Sequence, residues 1–346
     1  MKTSAAVLVE TRTPLEVVEL EIPKLQSGQV LVDIAFSGVC HTQLLECRGY
    51  RGNDPYLPHC LGHEGSGSVR EVGSGVTKVK TGDQVILSWI KGSGANVPGT
   101  IYQWGERQVN AGGITTFSRQ AVISENRLTV IPEPLSMQEA ALLGCAVSTG
   151  LGTVFNTAQP SPGQSLAVFG SGGIGLCAVA GAAIAGCVPI IAIDIVQDKL
   201  NLARQMGATH VVDASRHDPV AEVNRLCAGG TDIAIEASGR PEVMLQAFSC
   251  VRNQGGIAVV IGNARYGEQL TIDPRLFNAG KQLRGTWGGD TVPERDFPRY
   301  CKLINAGKLR LDPLFPKTYP LHAINTALDD LEQGNVARPI IDMGLQ

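Results

Sequence analysis

The sequence predicts an α/β protein in which a β-rich, barrel-like domain is interrupted by a doubly wound parallel sheet. Three observations lead there. Residues 1 to about 90 read as short strands separated by turns. From residue 165 to about 263, strands alternate with glycine turns and helical stretches. Beyond about 288 the mixed texture returns, with a helix over 294–306 and a tail ending in "ARPIIDMG". Even spacing of short strands points to barrel-like closure. Strand–helix alternation points to a parallel sheet covered on both faces.

Taken in order, "QVLVDIAFSGV" alternates apolar and polar residues and then breaks at Gly38. "GSGSVREVGSG" is a strand held between glycines, and "KTGDQVIL" is a turn leading into a strand. "QEAALLGCAVSTGLGTVFN" has helical periodicity. "SLAVFG", "GGIGLCAVAGAAIAG" and "VPIIAID" then form a strand–helix–strand unit. The alternation continues through "HVVDA", "PVAEVNRLCAGG", "TDIAIEASG", "EVMLQAFSCVRNQG" and "GIAVVIGN". The apolar "GGIAVVIGNA", with "QLTIDPRLFNAG", is expected to form the edge at which subunits pair.

The composition narrows the function. The chain has 346 residues, enough for two domains and a large core, with 43% hydrophobic and 18% charged residues and 41 glycines. A net charge of −3 gives no reason to expect nucleic acid or an anionic membrane as partner. No run reaches the ~18 apolar residues of a membrane span. The start lacks the pattern of a signal peptide. Nine cysteines without an export signal imply reduced thiols and a cytoplasmic protein.

"LAVFGSGGIG" supplies Gly170, Gly172 and Gly175 in the spacing G-x-G-x-x-G, with Gly173 and Ile174 between them. The motif follows a strand and opens a helix, the setting a pyrophosphate-binding turn requires. The first glycine allows the turn, the second admits the pyrophosphate, and the third lets helix and strand pack closely. Asp194 ends the next strand, 194 − 175 = 19 residues on, where a carboxylate holds ribose hydroxyls. It would repel a 2′-phosphate, and no arginine stands at 195–197 to welcome one. NAD is therefore expected rather than NADP, with Lys199 along the same ribose.

Cys40 and His41 are adjacent, and by themselves read as a metal ligand with its neighbour, a thiol with its base, or plain loop residues. His63 follows 23 residues after Cys40, and Cys145 lies just ahead of the dinucleotide motif. Two thiolates and an imidazole match a zinc site with its fourth position open.

At these residues the chain resembles the zinc-dependent medium-chain alcohol dehydrogenase family. The likeness runs through "GVCHT", "GHEGSG", "GDQVI", "GCAVSTG", "VFGSGGIG", the pair Asp194 and Lys199, and "ARPII". It implies a GroES-like catalytic domain over 1–147 and 288–346 and a Rossmann domain over 148–287, with the active site in the cleft between them. It implies Cys40, His63 and Cys145 as ligands of one catalytic zinc, with Glu64 as a nearby carboxylate. Thr42 would bond to the substrate hydroxyl and take its proton. Thr149, Gly262 and Asn263 would lie along the nicotinamide, with His41 and Arg338 at the pyrophosphate. The activity implied is reversible hydride transfer between a small alcohol or carbonyl compound and NAD, in a homodimer or homotetramer. A zinc-free C=C or imine reductase of the same superfamily, or a non-catalytic dinucleotide binder, is the competing reading.

Three positions depart from the family pattern. Residues 90–112 hold none of the four cysteines of a second, structural zinc, so none is expected. Leu45 stands where a proton-relaying histidine is usual, so either the ribose hands the proton to water, or another group such as His59 or Glu46 serves, or the chemistry demands less of a proton relay. Gln43 stands where an aspartate usually steadies the zinc histidine; its amide oxygen is expected to accept the imidazole N–H. Trp89, Trp287 and Asn110 fall along the substrate cleft, where Asn110, Ala111 and Gly112 replace bulkier groups. A wider, partly polar cleft fits a secondary, polyol, amino-alcohol or sugar-like substrate.

Overall fold

The computed structural model describes residues 1–345. The chain forms two compact units. The first comprises Met1–Cys145, Val292–Gly307 and the tail from Leu314; the second comprises Ala146–Thr291 and Lys308–Pro313.

In the first unit, strands Lys2–Leu8, Glu16–Glu21, Ile101–Trp104, Arg107–Asn110 and His59–Cys60 close into a barrel. Beside it lies a sheet around the long strand Gln29–Gly38, which pairs antiparallel with Glu64–Val72, Gln120–Ser124 and the tail strand Ile340–Asp342. The alternation of "QVLVDIAF" explains its place, since Val30 and Val32 are fully buried in a core that also holds Leu87, Phe117 and Ile123. Pairing with the tail strand fastens residues 340–342 beside Gly38, two positions from Cys40.

The second unit is built on six parallel strands. In chain order these are Leu166–Phe169, Ile190–Asp194, His210–Asp213, Ile233–Glu236, Ile257–Val260 and Gln282–Gly285. Their spatial order is 3-2-1-4-5-6. That is the doubly wound Rossmann arrangement, and its switch point falls between Leu166–Phe169 and Ile233–Glu236. The α/β class and the pairing of a GroES-like unit with a Rossmann unit are thus as the sequence implies.

One expectation is corrected. Ile257–Val260 is no edge: it pairs on both sides, and Ala258 and Val259 are fully buried. Its unbroken apolar run is what a central parallel strand requires. The edge is the more polar Gln282–Gly285, whose residues are mostly exposed. The periodic stretch at 138–156 is helical as its pattern implies, but divided. Met137–Leu143 and Ala146–Gly152 are separate, the latter running into a π-helical turn at Thr153–Ala158. Gly144, in the break, must be glycine, since a Cβ there would strike the Leu87 carbonyl. Among the described residues no single helix is long and apolar enough to cross a membrane.

Candidate functional site

Three elements of the first unit deliver Cys40, His63 and Cys145. Cys40 ends the run after strand Gln29–Gly38 and caps the short helix His41–Cys47. His63 immediately precedes strand Glu64–Val72, and Cys145 sits in the break between the two helices. One ligand atom from each residue lies within 4.8 Å of the other two. The His63 Nε2 is 3.3 Å from the Cys145 Sγ. A tetrahedral zinc with Zn–S near 2.3 Å would separate its ligand atoms by about 3.5–3.8 Å, so the spacing fits.

The electrostatics fit as well. Hydrogen bonding from Cys145 pulls the Cys40 thiol well down, helped by Arg338 and His63 against the effect of burial. The same contact, with burial, pushes Cys145 well up. Two thiols this close in a buried site cannot both ionise unless a cation lies between them, and a divalent metal meets that need.

Gln43 joins two of the ligands. Its amide oxygen accepts the Cys40 N–H at 2.9 Å, and its amide nitrogen contacts the His63 Nδ1. This differs from the expected oxygen-to-imidazole bond, because the helix cap has taken the oxygen. Thr42, half-buried, places its hydroxyl 3.7 Å from the Cys40 Sγ. Glu64 is fully buried and accepts from the Nε of Arg338 at 2.6 Å; Arg338 is itself only 3% exposed. Burial opposes the guanidinium charge, yet Cys40 and Glu64 hold it firmly protonated. A Cβ at Gly38 would occupy the place of the Glu64 carboxylate. Arg338 is thus paired inside the first unit.

A cleft of about 230 Å³ opens beside His63. Gln43, Glu46, Tyr56, His59 and Asn110 supply its polar and aromatic lining. Trp89 stands edge-on to the His63 ring at 6.4 Å between centroids. Trp287 belongs to the second unit and is 75% exposed; His41 is exposed on its helix. Leu45 is buried and carries no proton.

In the second unit, Gly170 takes φ +94°, the left-handed region open to glycine, and Gly172 caps the helix Gly173–Ile184. A Cβ at Gly175 would collide with the Gly170 carbonyl. A Cβ at Gly172 would meet nothing within 4 Å, leaving open space at that helix N-terminus. Asp194 accepts the Ser171 N–H at 2.7 Å with one oxygen and the N–H groups of Ile195 and Val196 with the other. Lys199 is half-buried on the next helix and Asn263 is exposed. Gly262 lies against Glu236 and Gly239, where a Cβ would not fit.

Buried polar atoms without a partner among the described residues include the Thr149 hydroxyl, the Ser171 hydroxyl and one oxygen of Glu236. Such atoms suit a polar ligand at this face. Glu236 was not foreseen from sequence. It ends the strand at the switch point, and its other oxygen gathers Ser238 and Gly239 at 2.6–2.8 Å. Burial pushes its carboxyl up despite those bonds. The acid closing "DIAIE" was the available signal. Tyr56 was also missed, in a loop without periodicity.

Residues 26–133 match the family model of the alcohol dehydrogenase GroES-like domain, and residues 173–306 that of the zinc-binding dehydrogenase. An S-(hydroxymethyl)glutathione dehydrogenase of Synechocystis sp. is 36% identical, over 99% of this chain and 100% of the relative. Alcohol dehydrogenase 2 of Zea mays is 33% identical, over 99% and 98%. Among solved structures, an alcohol dehydrogenase zinc-binding domain protein from Burkholderia ambifaria superposes with a TM-score of 0.92 at 30% identity, covering 100% of both chains. Benzyl alcohol dehydrogenase from Acinetobacter calcoaceticus gives 0.89 at 29% identity, covering 99% of this chain and 100% of that one.

Proposed function

The chain belongs to the zinc-dependent medium-chain alcohol dehydrogenase family, and we propose that it oxidises a small alcohol reversibly with NAD and a single catalytic zinc. The observation that carries this reading is the convergence of the Cys40, His63 and Cys145 ligand atoms within 4.8 Å. Zinc held there would supply Lewis acidity toward the substrate oxygen, and the nicotinamide would supply the hydride acceptor.

The chain's own residues do the rest. As thiolates, Cys40 and Cys145 would neutralise the charge of the metal, and Gln43 contacts both Cys40 and His63. The Thr42 hydroxyl would accept the hydrogen bond of the substrate alcohol and, as it takes that proton, pass its own on toward solvent. Glu64 and Arg338 form a buried ion pair that stiffens the wall behind the ligands. In the second unit the Gly172 space takes the pyrophosphate, with Gly170, Gly173, Ile174 and Gly175 shaping it. Asp194 takes the adenosine ribose hydroxyls, helped by Lys199. Thr149, Gly262 and Asn263 hold the nicotinamide end, and His41 meets the pyrophosphate. The carboxylate at Asp194, followed by Ile195, Val196 and Gln197, supports NAD over NADP. Trp89, Trp287 and Asn110 border the substrate.

One zinc per chain is expected, because Ile90 to Gly112 contains no cysteine. The exposed edge strand Gln282–Gly285 supports a homodimer or homotetramer paired there. None of the nine cysteines is joined in a disulfide, which supports a reducing, cytoplasmic setting.

The test is metal content beside activity. Protein purified without added zinc should carry about one zinc per chain, lost in Cys40→Ala, and should reduce NAD⁺ with at least one of 2-butanol and benzyl alcohol. No zinc after reconstitution, or no oxidation of any alcohol by zinc-loaded protein, would overturn the reading.

A further inference from the structure

The substrate is left broad by the relatives, some of which are named for a glutathione conjugate and others for simple alcohols. The cleft beside His63 is narrower in what it accepts. At about 230 Å³ it is smaller than the ~300–1,000 Å³ typical of drug-sized ligands. No lysine or arginine lines it, so nothing there offers a charge to a carboxylate-bearing conjugate.

Several of its neutral polar groups are already engaged within the chain. Gln43 uses both ends of its amide on Cys40 and His63. Asn110 donates its amide N–H to the Tyr56 carbonyl at 2.7 Å, and His59 contacts Asp54 through Nε2 at 2.8 Å. Glu46 differs. Among the described residues no hydrogen bond reaches its carboxylate, and its ion-pair partner, Arg51, stands at 3.7 Å on a half-exposed side chain. That is beyond hydrogen-bond range. Burial pushes the Glu46 carboxyl upward, against the pull of Arg51, as expected of a poorly compensated negative charge. Tyr56, 66% exposed, brings an aromatic ring to the same lining. A carboxylate lacking a hydrogen-bonded partner, in a lining that also includes a tyrosine, is the chemistry that receives an ammonium group.

We propose that Glu46 and Tyr56 form a cation subsite in the cleft beside His63, and that the preferred substrate is a small alcohol bearing an ammonium group. The inference rests on the alcohol dehydrogenase reading. The reaction balances as R₂CHOH + NAD⁺ → R₂C=O + NADH + H⁺, the hydride leaving the carbinol carbon and the proton leaving its oxygen. The ammonium group stays intact and only positions the molecule.

The experiment compares 1-amino-2-propanol with 2-butanol, which differ by –NH₃⁺ for –CH₃, using zinc-loaded enzyme and NAD⁺ near neutral pH. The amine should be favoured in kcat/KM by about 10- to 100-fold, the range of a hydrogen bond to a charged group. Glu46→Gln should bring the ratio close to one, with folding checked by thermal melting. Tyr56→Leu, at an exposed position, should lower the ratio part of the way and serves if Glu46→Gln does not fold. Calorimetry with tetramethylammonium should detect binding to the wild type that Glu46→Gln loses. A wild-type ratio at or below one overturns the cation subsite while leaving the dehydrogenase reading standing. A preference for the amine that both variants retain also overturns it. Failure to oxidise either compound or benzyl alcohol overturns both readings together.

Discussion

Gln43 shows how one amide constrains a metal ligand. Its oxygen is committed to the Cys40 N–H, so its N–H₂ faces the His63 Nδ1. An imidazole that accepts at Nδ1 carries its proton on Nε2, the atom turned toward Cys145. Metal binding through Nε2 needs the opposite tautomer, which a carboxylate at position 43 would favour by accepting the Nδ1 proton. Gln43→Asp should therefore bind zinc about 10–100-fold more tightly, the usual scale for such partners. Competition against a chromogenic chelator reads this directly, and equal affinities in the two proteins would refute it. The buried partner Arg338 makes a related point. Its pairing with Glu64 ties the tail to strand Glu64–Val72 across 274 residues of sequence.

At the scale of elements, carboxylates hold the segment from Lys91 to Val97. Glu125 accepts the N–H groups of Thr77, Lys78 and Ala95 at 2.6–2.7 Å. Glu294 accepts the N–H and hydroxyl of Ser93 at 2.7 and 2.9 Å and pairs with the Lys78 ammonium at 2.7 Å. Burial works against the Glu125 charge, but the three N–H donors override it and hold the carboxyl below its ordinary 4.5. Glu294 is pulled to about 2 by Lys78 and Ser93, again against burial. A carboxyl depressed by folding stabilises above its unfolded pKa, and that contribution is lost as pH falls through the folded value. Glu125→Gln should thus cost about 1–3 kcal/mol at neutral pH. The difference from wild type should shrink below pH 4.5, the ordinary value for the carboxyl. Denaturant unfolding at several pH values measures it; a gap independent of pH would show that the charge is irrelevant.

At the scale of the whole molecule, the Rossmann sheet ends in the exposed strand Gln282–Gly285, with Phe277 48% exposed near it. An open strand edge invites pairing with a second copy. Sedimentation velocity at micromolar concentration should give a dimer or tetramer. A monomer at that concentration would remove the edge from consideration as a subunit contact. The edge went unread in the sequence because "QLRG" has neither a long apolar run nor clean alternation, whereas the neighbouring "IAVV" has the stronger pattern and lies inside the sheet.

The sequence by itself determined what depends on local order. The alternation of "QVLVDIAF", the strand–glycine–helix pattern at 166–184 and the acid 19 residues beyond Gly175 each encode backbone geometry within a short window. Cys40, His63 and Cys145 could be picked from nine cysteines and six histidines only because their flanking motifs resemble a family. Tertiary structure decided the rest. It turned the Gln43 amide, paired Arg338 with Glu64, left Glu46 in the cleft lining without a hydrogen-bonded cation, and placed Glu236 at the switch point. Each of these depends on which distant groups arrive to use up a hydrogen bond or a charge. Periodicity reports which face of an element is buried, but it carries no information about which polar partner that face will meet.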